Sequence, residues 1–353
     1  MSAVVRNNKF LYSALNAFSP EDVMNYFEEL GVPLKTERGN RVFPVSDKAA
    51  DIADAMLRKA ENSGAEILLN QYVKSVRLNE TGNGFCVKTK NDIYYSDRVL
   101  MACGGVSYPG TGSNGEGFRF AEKLGHSVTA LKPSLVPLVE EGNLCKTLQG
   151  LSLKNCGIKI TNNTLKKAVY TDFGELMFTH YGLSGPVILS ASAHIQNISP
   201  GKYSVYIDLK PALDENKLDL RLQREFFENK NSFFVKALAA LLPQKLIMPI
   251  AEMSGISPQI RCNEISRQQR LKLRDILKAV KINISGFRPI SEAIITSGGI
   301  SIKEVNPKTM ESKIIPGLFF AGEMLDLDAY TGGFNLQIAF STGYLAGLNI
   351  FSF

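Results

Sequence analysis

"GLFFAGE", residues 317–323, is an apolar run that breaks at Gly322, and Gly332-Gly333 then opens a second long apolar stretch from Phe334 onward. A strand that ends at glycine and returns through a glycine pair into a helix constrains this chain more than any other stretch. It sets backbone N–H groups without helical partners near the carboxyl end of a strand, the place where α/β folds bind ligands. Glu323, Asp326 and Asp328 add acceptors suited to hydroxyl groups, and Asn335 and Gln337 can both donate and accept. Ala339, Ser341, Gly343, Ala346 and Gly347 keep one face of the helix small for close packing.

With 353 residues the chain exceeds one average domain and has room for two or three compact units. Its 44% hydrophobic and 21% charged residues are those of an ordinary folded chain, so disorder is not expected to dominate. The five cysteines, Cys86, Cys103, Cys145, Cys156 and Cys262, form no C-x-x-C pair and no cluster with the three histidines. That pattern predicts reduced thiols in a cytosol, with neither a disulfide framework nor a metal site. The most apolar stretch, 233–253, is broken by Lys236, Pro243 and Lys245, short of the about 18 clean apolar residues of a membrane span. The opening "MSAVVRNNKF" has no basic region followed by a long apolar one, so a cytoplasmic location without membrane contact is expected. The net charge of +6 mildly favours acidic ligands such as phosphates and is too weak to argue nucleic acid.

Along the chain, Ser19-Pro20-Glu21-Asp22 predicts a helix start with Val23, Tyr26, Phe27 and Leu30 on one face and Gly31 as its end. A second helix is predicted from about Asp47 to Asn62, capped by Ser46 or Asp47, with a strand following at Glu66–Leu69. "VKSVRLNE", "GFCVKTK" and "DIYYSDRV", separated by turn residues, read as an antiparallel meander. "RVLMACGG" reads as a buried strand breaking into glycines, and "GEGFRFAEKLGH" as a helix closing at Gly125. From Lys132 the texture becomes short β-like pieces, and from Asp214 to about Lys281 it is helical and charged. The predicted organisation is a first α/β part over 1–131, an inserted β-rich domain over 132–211, a helical domain over 212–286, and a return to β-rich and α/β structure over 287–353.

Gly110-Thr-Gly112-Ser-Asn-Gly115 fits G-x-G-x-x-G, but that fingerprint works only when a strand runs directly into it and an acid follows about 20 residues on. Here the strand ends near Cys103, so the match reads as a loop with glycines at a sharp path into the next helix. Ala102-Cys103-Gly104-Gly105 is the better candidate, since a strand ending in bare glycines lets a ligand lie against backbone; a plain turn is the alternative.

"SGGISIKEVNPKTMESKIIPGLFFAGEMLDLDAYTGGFNLQIAFSTGYLAG", residues 297–347, resembles the C-terminal FAD-binding signature of the bacterial BaiN/RdsA (YhiN-like) family of NAD(P)/FAD-dependent oxidoreductases. "MACGGVSYPGTGSNGEGFRFAEKLGH" resembles its internal A-T-G-G motif with Cys103 in place of Thr, and "GELMFTHYGLSGPVIL" resembles a stretch of its inserted domain. The likeness runs in order over essentially the whole chain. It implies an α/β fold with a glutathione-reductase-like FAD-binding domain, interrupted by a β-barrel-like domain and a helical domain. It also implies bound FAD, NAD(P)H as electron donor, and hydride transfer through the flavin to a small organic substrate. Carried over by position, Ala102, Gly104 and Gly105 approach the dinucleotide, and Gly322, Glu323 and Asp326 lie near pyrophosphate and ribityl. Gly332, Gly333, Phe334, Asn335 and Gln337 lie beside the flavin ring, and the Val73 backbone meets adenine.

Family members begin with strand, G-x-G-x-x-G, helix and an acid-ended strand, whereas this sequence resembles the family's interior from its start. The FAD-binding domain is therefore expected to be incomplete at its N-terminus, with apolar sheet edges exposed. A non-catalytic fragment or half-enzyme, completed by another chain, is the rival to an active oxidoreductase. His180, in a glycine-bordered loop, is a candidate acid or base facing the flavin, against a structural role. Arg41 is a candidate partner for an anionic substrate or the flavin, against a surface salt bridge. Cys103 has no second cysteine nearby and reads as packing, and no second dinucleotide fingerprint marks a nicotinamide site. A nucleic-acid role for Arg261, Arg267, Arg270, Lys272, Arg274, Lys278 and Lys281 is opposed by the interspersed Glu264 and Asp275 and by scarce aromatics, so no nucleic-acid partner is expected.

Overall fold

In the computed structural model, which describes residues 1–351 apart from Arg38 and Thr81, Ser19 and Asp22 close a capping box. Ser19 Oγ accepts from Asp22 N at 3.2 Å and the Asp22 carboxylate accepts from Ser19 N at 2.8 Å. Two helix-end donors are satisfied and the acid sits at the positive end of the helix dipole. Helix α1 (Tyr12–Ala17) precedes this one, α2 (Pro20–Glu29), and β1 (Leu34–Glu37) with β2 (Arg41–Pro44) makes a hairpin after it. Helix α3 (Ala49–Asn62) starts later than expected, with Lys48 rather than Ser46 or Asp47 as its N-cap. Asp47 takes a left-handed conformation and its carboxylate accepts from Lys35 instead, while Ser46 Oγ donates to Asp51.

Residues 66–69 form no strand. Ile67, Leu68 and Leu69 are exposed, Leu69 by 76%, and no ladder reaches them among the described residues. Strand preference describes how a side chain fits a pleated, half-buried surface, and it produces nothing without a neighbouring strand. The meander does form, from β3 (Val73–Leu78), β4 (Phe85–Thr89) and β5 (Ile93–Ser96), all antiparallel. β6 (Val99–Met101), α4 (Glu116–Lys123) and β7 (Val128–Ser134) complete this passage, α4 being entered through Gly115 and left through Gly125, both left-handed.

Residues 135–289 are a unit of their own. Its strands are β8 (Leu138–Glu140), β9 (Ser152–Asn162), β10 (Lys167–Phe178), β11 (Gly182–Ser184), β12 (Tyr203–Asp208) and β13 (Val280–Phe287), with α5 (Leu144–Thr147) and α6 (Pro186–Ser192) between them. They close a barrel in the order β10-β11-β8-β13-β12-β9. Helices α7 (Glu215–Glu228), α8 (Phe234–Leu238), α9 (Gln244–Ser254) and α10 (Arg267–Lys278) lie between β12 and β13 in sequence. Leu218, Leu222 and Phe226 of α7 and Leu273 and Leu277 of α10 share one core with the barrel's Ile158, Ile160, Val205 and Ile282. The helices of 212–286 therefore belong to the barrel's unit rather than standing apart. Helical texture reaches Lys278 only, because Val280, Ile282 and Ile284 alternate inward with the period of a strand and pair with β12.

The other unit comprises 1–134 and 290–353. On its return the chain forms β14 (Ile295–Ile300), antiparallel to β7, then β15 (Leu318–Phe320), parallel to β6, and finally α11 (Phe334–Ile350). Phe85, Met101, Phe118, Leu318, Phe320, Ile338 and Leu345 meet in its main core. No helix among the described residues is long and apolar enough to cross a membrane.

His126 is buried in this unit, its ring edge-on to Phe320 with centroids 4.9 Å apart. Ser312 Oγ accepts from the N–H groups of Ile314 and Ile315, so its one proton is directed to His126 Nε2 at 2.7 Å, and Nδ1 is left without a partner among the described residues. Burial holds the imidazole pKa below its ordinary value. A base depressed in the folded state takes up its proton on unfolding, so stability falls as pH drops below about 6.5 and on through the lower folded value. The melting temperature is expected to fall between neutral pH and pH about 5, and His126→Gln is expected to flatten that slope. Thermal scans across pH on both proteins measure it.

Candidate functional site

The parallel pairing of β15 with β6 sets Leu318 beside Val99, Phe319 beside Leu100 and Phe320 beside Met101. Their carboxyl ends therefore open on one side, and each gives way to glycine: Gly104 and Gly105 after β6, Gly322 after β15. Ala102 and Cys103 are exposed at this edge, and Cys103 packs its Cβ against α4 at Gly117, where an added Cβ would lie 3.0 Å from it. That contact agrees with a packing role for the thiol.

Glu323 braces the two loops. Its Oε1 accepts from Thr296 N at 2.5 Å and from Ser107 Oγ at 3.1 Å, while Thr296 Oγ1 accepts from Val106 N at 2.7 Å and Ser107 N at 3.1 Å. Gly105 runs so close to this bracket that a Cβ there would lie 2.5 Å from Glu323 Oε1 and 2.6 Å from Thr296 Cβ. The close backbone approach expected of Gly105 is thus met by the protein's own Thr296 and Glu323. Gly104 takes a left-handed φ of 74° with Ser113 Oγ beside it, and Gly322, at φ 64°, donates its N–H to Thr342 Oγ1 at 2.9 Å.

Among the acids after β15, Asp328 is 1% exposed and spent on the fold. Arg6 Nε and Nη2 donate to Oδ1 at 3.1 and 3.0 Å, and Ser134 Oγ donates to Oδ2 at 3.0 Å. The hydroxyl-acceptor role expected of Asp328 is overturned by these partners. Asp326 differs: its backbone is held by Ile300 O and Asn7 Nδ2, but its buried Oδ1 has no partner among the described residues.

The start of α11 is exposed at Gly332, Gly333 and Phe334, and no side chain caps it. The N–H groups of Phe334, Asn335 and Leu336 find no acceptor among the described residues, leaving the positive end of a 17-residue helix open. The side chains named with them turn inward. Asn335 clamps the Ala329 N–H and carbonyl at 2.9 Å each, and Gln337 donates to Phe18 O and Ser341 Oγ. What the helix offers outward is backbone.

Val73 opens β3, half-buried and paired with Thr89. Arg41 lies in the β1–β2 hairpin, 3.8 Å from Glu37 and over the Phe43 ring at 5.7 Å. His180 is exposed in the turn between β10 and β11, in the barrel unit, with its ring edge against Tyr181. The G-x-G-x-x-G match lies far past the end of β6, with a short 3-10 turn at Pro109–Thr111, and Gly112 and Gly115 serve left-handed turns. Thr296 and Ser107, central to the bracket, carry no motif of their own. The only hint is that Thr296 precedes Gly298-Gly299, whose positive φ angles of 96° and 139° fit close contacts to the backbone of Ala130, Met324 and Leu325.

A family model described as the HI0933-like protein Rossmann domain matches residues 1–349. The chain is 28% identical over 341 residues to the 3-dehydro-bile acid delta(4,6)-reductase of Clostridium scindens, covering 96% of this chain and 82% of that one. It is 29% identical over 340 residues to the ribosomal RNA dihydrouridine synthase of Escherichia coli, covering 96% and 81%. Against the protein of that name from Haemophilus influenzae the identity is 28% over 349 residues, covering 98% and 83%.

Proposed function

This chain belongs to the HI0933-like Rossmann-domain family and is an enzyme, and on that premise we propose that it is a flavin-dependent oxidoreductase whose first unit binds FAD and which reduces a small organic substrate. One observation carries the reading: parallel β6 and β15 open together onto glycine loops, beside an acid with a buried unsatisfied oxygen and in a unit whose last helix has a bare N-terminus. A ligand hydroxyl would satisfy Asp326 Oδ1, as the ribityl chain of a flavin offers. The N–H groups of Phe334, Asn335 and Leu336 would favour negative charge, as on the N1 and O2 side of a reduced flavin. Glu323 and Thr296 would act from behind, fixing the Gly104–Gly105 loop against which the dinucleotide would lie. When bound, the flavin would supply hydride acceptance from a donor such as NAD(P)H and delivery to the substrate. Arg41, in the first unit, is proposed for the substrate side.

The absorbance spectrum of the purified chain before and after FAD addition tests this, with flavin bands expected to stay with the protein through gel filtration. Colourless protein in excess FAD would sink it. Leu336→Asp sharpens the test, since Leu336 is 64% exposed in the first turn of α11. The new acid suits the helix dipole, so the melting temperature should hold or rise, while repulsion should weaken FAD binding about tenfold.

A second reading has its own observation. β6 is paired along one edge only among the described residues, and Ile67, Leu68 and Leu69 lie exposed without a ladder. A strand and glycine turn supplied by another polypeptide would use both. Under this reading FAD binding appears only when such a segment is co-expressed.

A further inference from the structure

Helix α7 carries Lys217, Leu220, Arg221 and Arg224 at the i, i+3, i+4 and i+7 spacing of a single face. Together with Lys210, Leu213 and Leu241 they line a cavity of about 610 Å³ in the barrel unit. Two of its four cations are matched: Lys217 lies 3.6 Å from Asp214, and Arg221 Nη2 lies 2.5 Å from Glu225. The side chains of Lys210 and Arg224 have no hydrogen bond or ion pair among the described residues, and Arg221 Nε is buried without an acceptor. Burial pushes the Lys210 ammonium pKa down, and the Arg221 charge adds to it. A half-buried, unpartnered cation beside an arginine is a standing cost to the fold, and a cost held in a cavity marks a ligand.

We propose that this cavity binds the phosphate group of a phosphate-bearing ligand, with Lys210, Arg221 Nε and Arg224 as donors. Two uncompensated positive charges and an arginine N–H match a phosphate better than a single carboxylate. The cavity is also larger than the anion needs, and Leu213, Leu220 and Leu241 give the remainder an apolar wall suited to the ring of a nucleotide or a similar body. The site is separate in sequence and unit from the glycine loops and stands whether or not those bind FAD.

Calorimetric titration with inorganic pyrophosphate, and in a parallel arm with a short single-stranded oligouridylate at low salt, tests it. Saturable binding by the native chain is expected. Lys210→Met should weaken it about tenfold or more while the melting temperature holds or rises, because the variant removes an unpaired, half-buried charge. Arg224→Glu, on an exposed position, should weaken it as much. If the oligonucleotide binds, loses affinity in both variants and shows a salt slope reduced by about 0.7 per contact removed, the phosphate is that of a polynucleotide. Pyrophosphate binding alone assigns a small phosphorylated molecule. Absence of saturable binding in both arms, or variants that bind like the native chain, overturns the proposal. FAD absorbance of the same variants should match the native protein, so failure here and failure of the flavin reading are told apart.

Discussion

Gly105→Val is expected to lower stability by about 3–5 kcal/mol and to remove FAD binding, the larger of the two strongest effects in this protein. The cost is steric, since Gly105 has no positive φ and a side chain meets no backbone penalty there. Any Cβ at this position must displace Glu323 Oε1, 2.5 Å away, and Thr296 Cβ, 2.6 Å away. Displacing them breaks the three hydrogen bonds that tie the loop after β6 to β14 and to the loop after β15, and the fourth that ties Thr296 of β14 to Glu323. Gly110→Ala is the control, because nothing lies within 4 Å of the added Cβ and φ there is not positive. It should change stability by less than about 0.5 kcal/mol. If the letter-perfect G-x-G-x-x-G match were a pyrophosphate turn, Gly110→Ala would cost flavin and Gly105→Val would be the milder change. Urea denaturation and flavin absorbance on the two variants decide between these outcomes.

Arg6→Ala is expected to cost about 2–4 kcal/mol. Removing it leaves the Asp328 carboxylate, 1% exposed, with Ser134 Oγ as its remaining side-chain donor. A buried pair broken on one side costs more than this range at its upper end, but the Arg6 side chain is 41% exposed, so water can reach the vacated place and soften the loss. Asp328→Asn in the Arg6→Ala background should recover part of the stability, since an amide carries no charge to strand. A double-mutant cycle by urea denaturation measures the coupling. Additive losses would show that Arg6 acts by packing alone. The pair also holds the chain's beginning to the loop before α11, where Val5 N donates to Asp328 O at 2.9 Å and Tyr330 N to Ala3 O at 3.0 Å. Loss of Arg6 should therefore loosen the approach to the α11 N-terminus as well.

Much of the candidate site was legible because glycine reports on backbone. Gly104, Gly322, Gly332 and Gly333 all take positive φ, which glycine adopts without strain, so the sharp breaks after the strands and before the helix could be located from the glycines themselves. The side-chain partners of Asp328, Asn335 and Gln337 were not legible for a related reason. A polar side chain in a ligand loop looks the same in sequence whether it faces a ligand or a backbone carbonyl, and here the partners are Arg6, Ala329 and Phe18. Of the acids that follow β15, Asp326 keeps a buried oxygen without a partner among the described residues.

The sequence by itself determined what depends on neighbours a few residues away: the Ser19–Asp22 capping box, the meander of β3 to β5, the left-handed exit from α4 at Gly125, and the likeness that assigns the family. The tertiary structure decided which strands exist and which polar groups stay free. Ile67–Leu69 has strand composition and no pairing strand among the described residues, whereas Val280–Phe287, adjoining a basic helix in sequence, finds β12 and β8 and closes a barrel. A cap or turn is settled by bonds whose partners are already held close by the chain. A ladder, a buried ion pair or a cationic cavity needs partners brought from far along the sequence, and their meeting is a property of the folded whole.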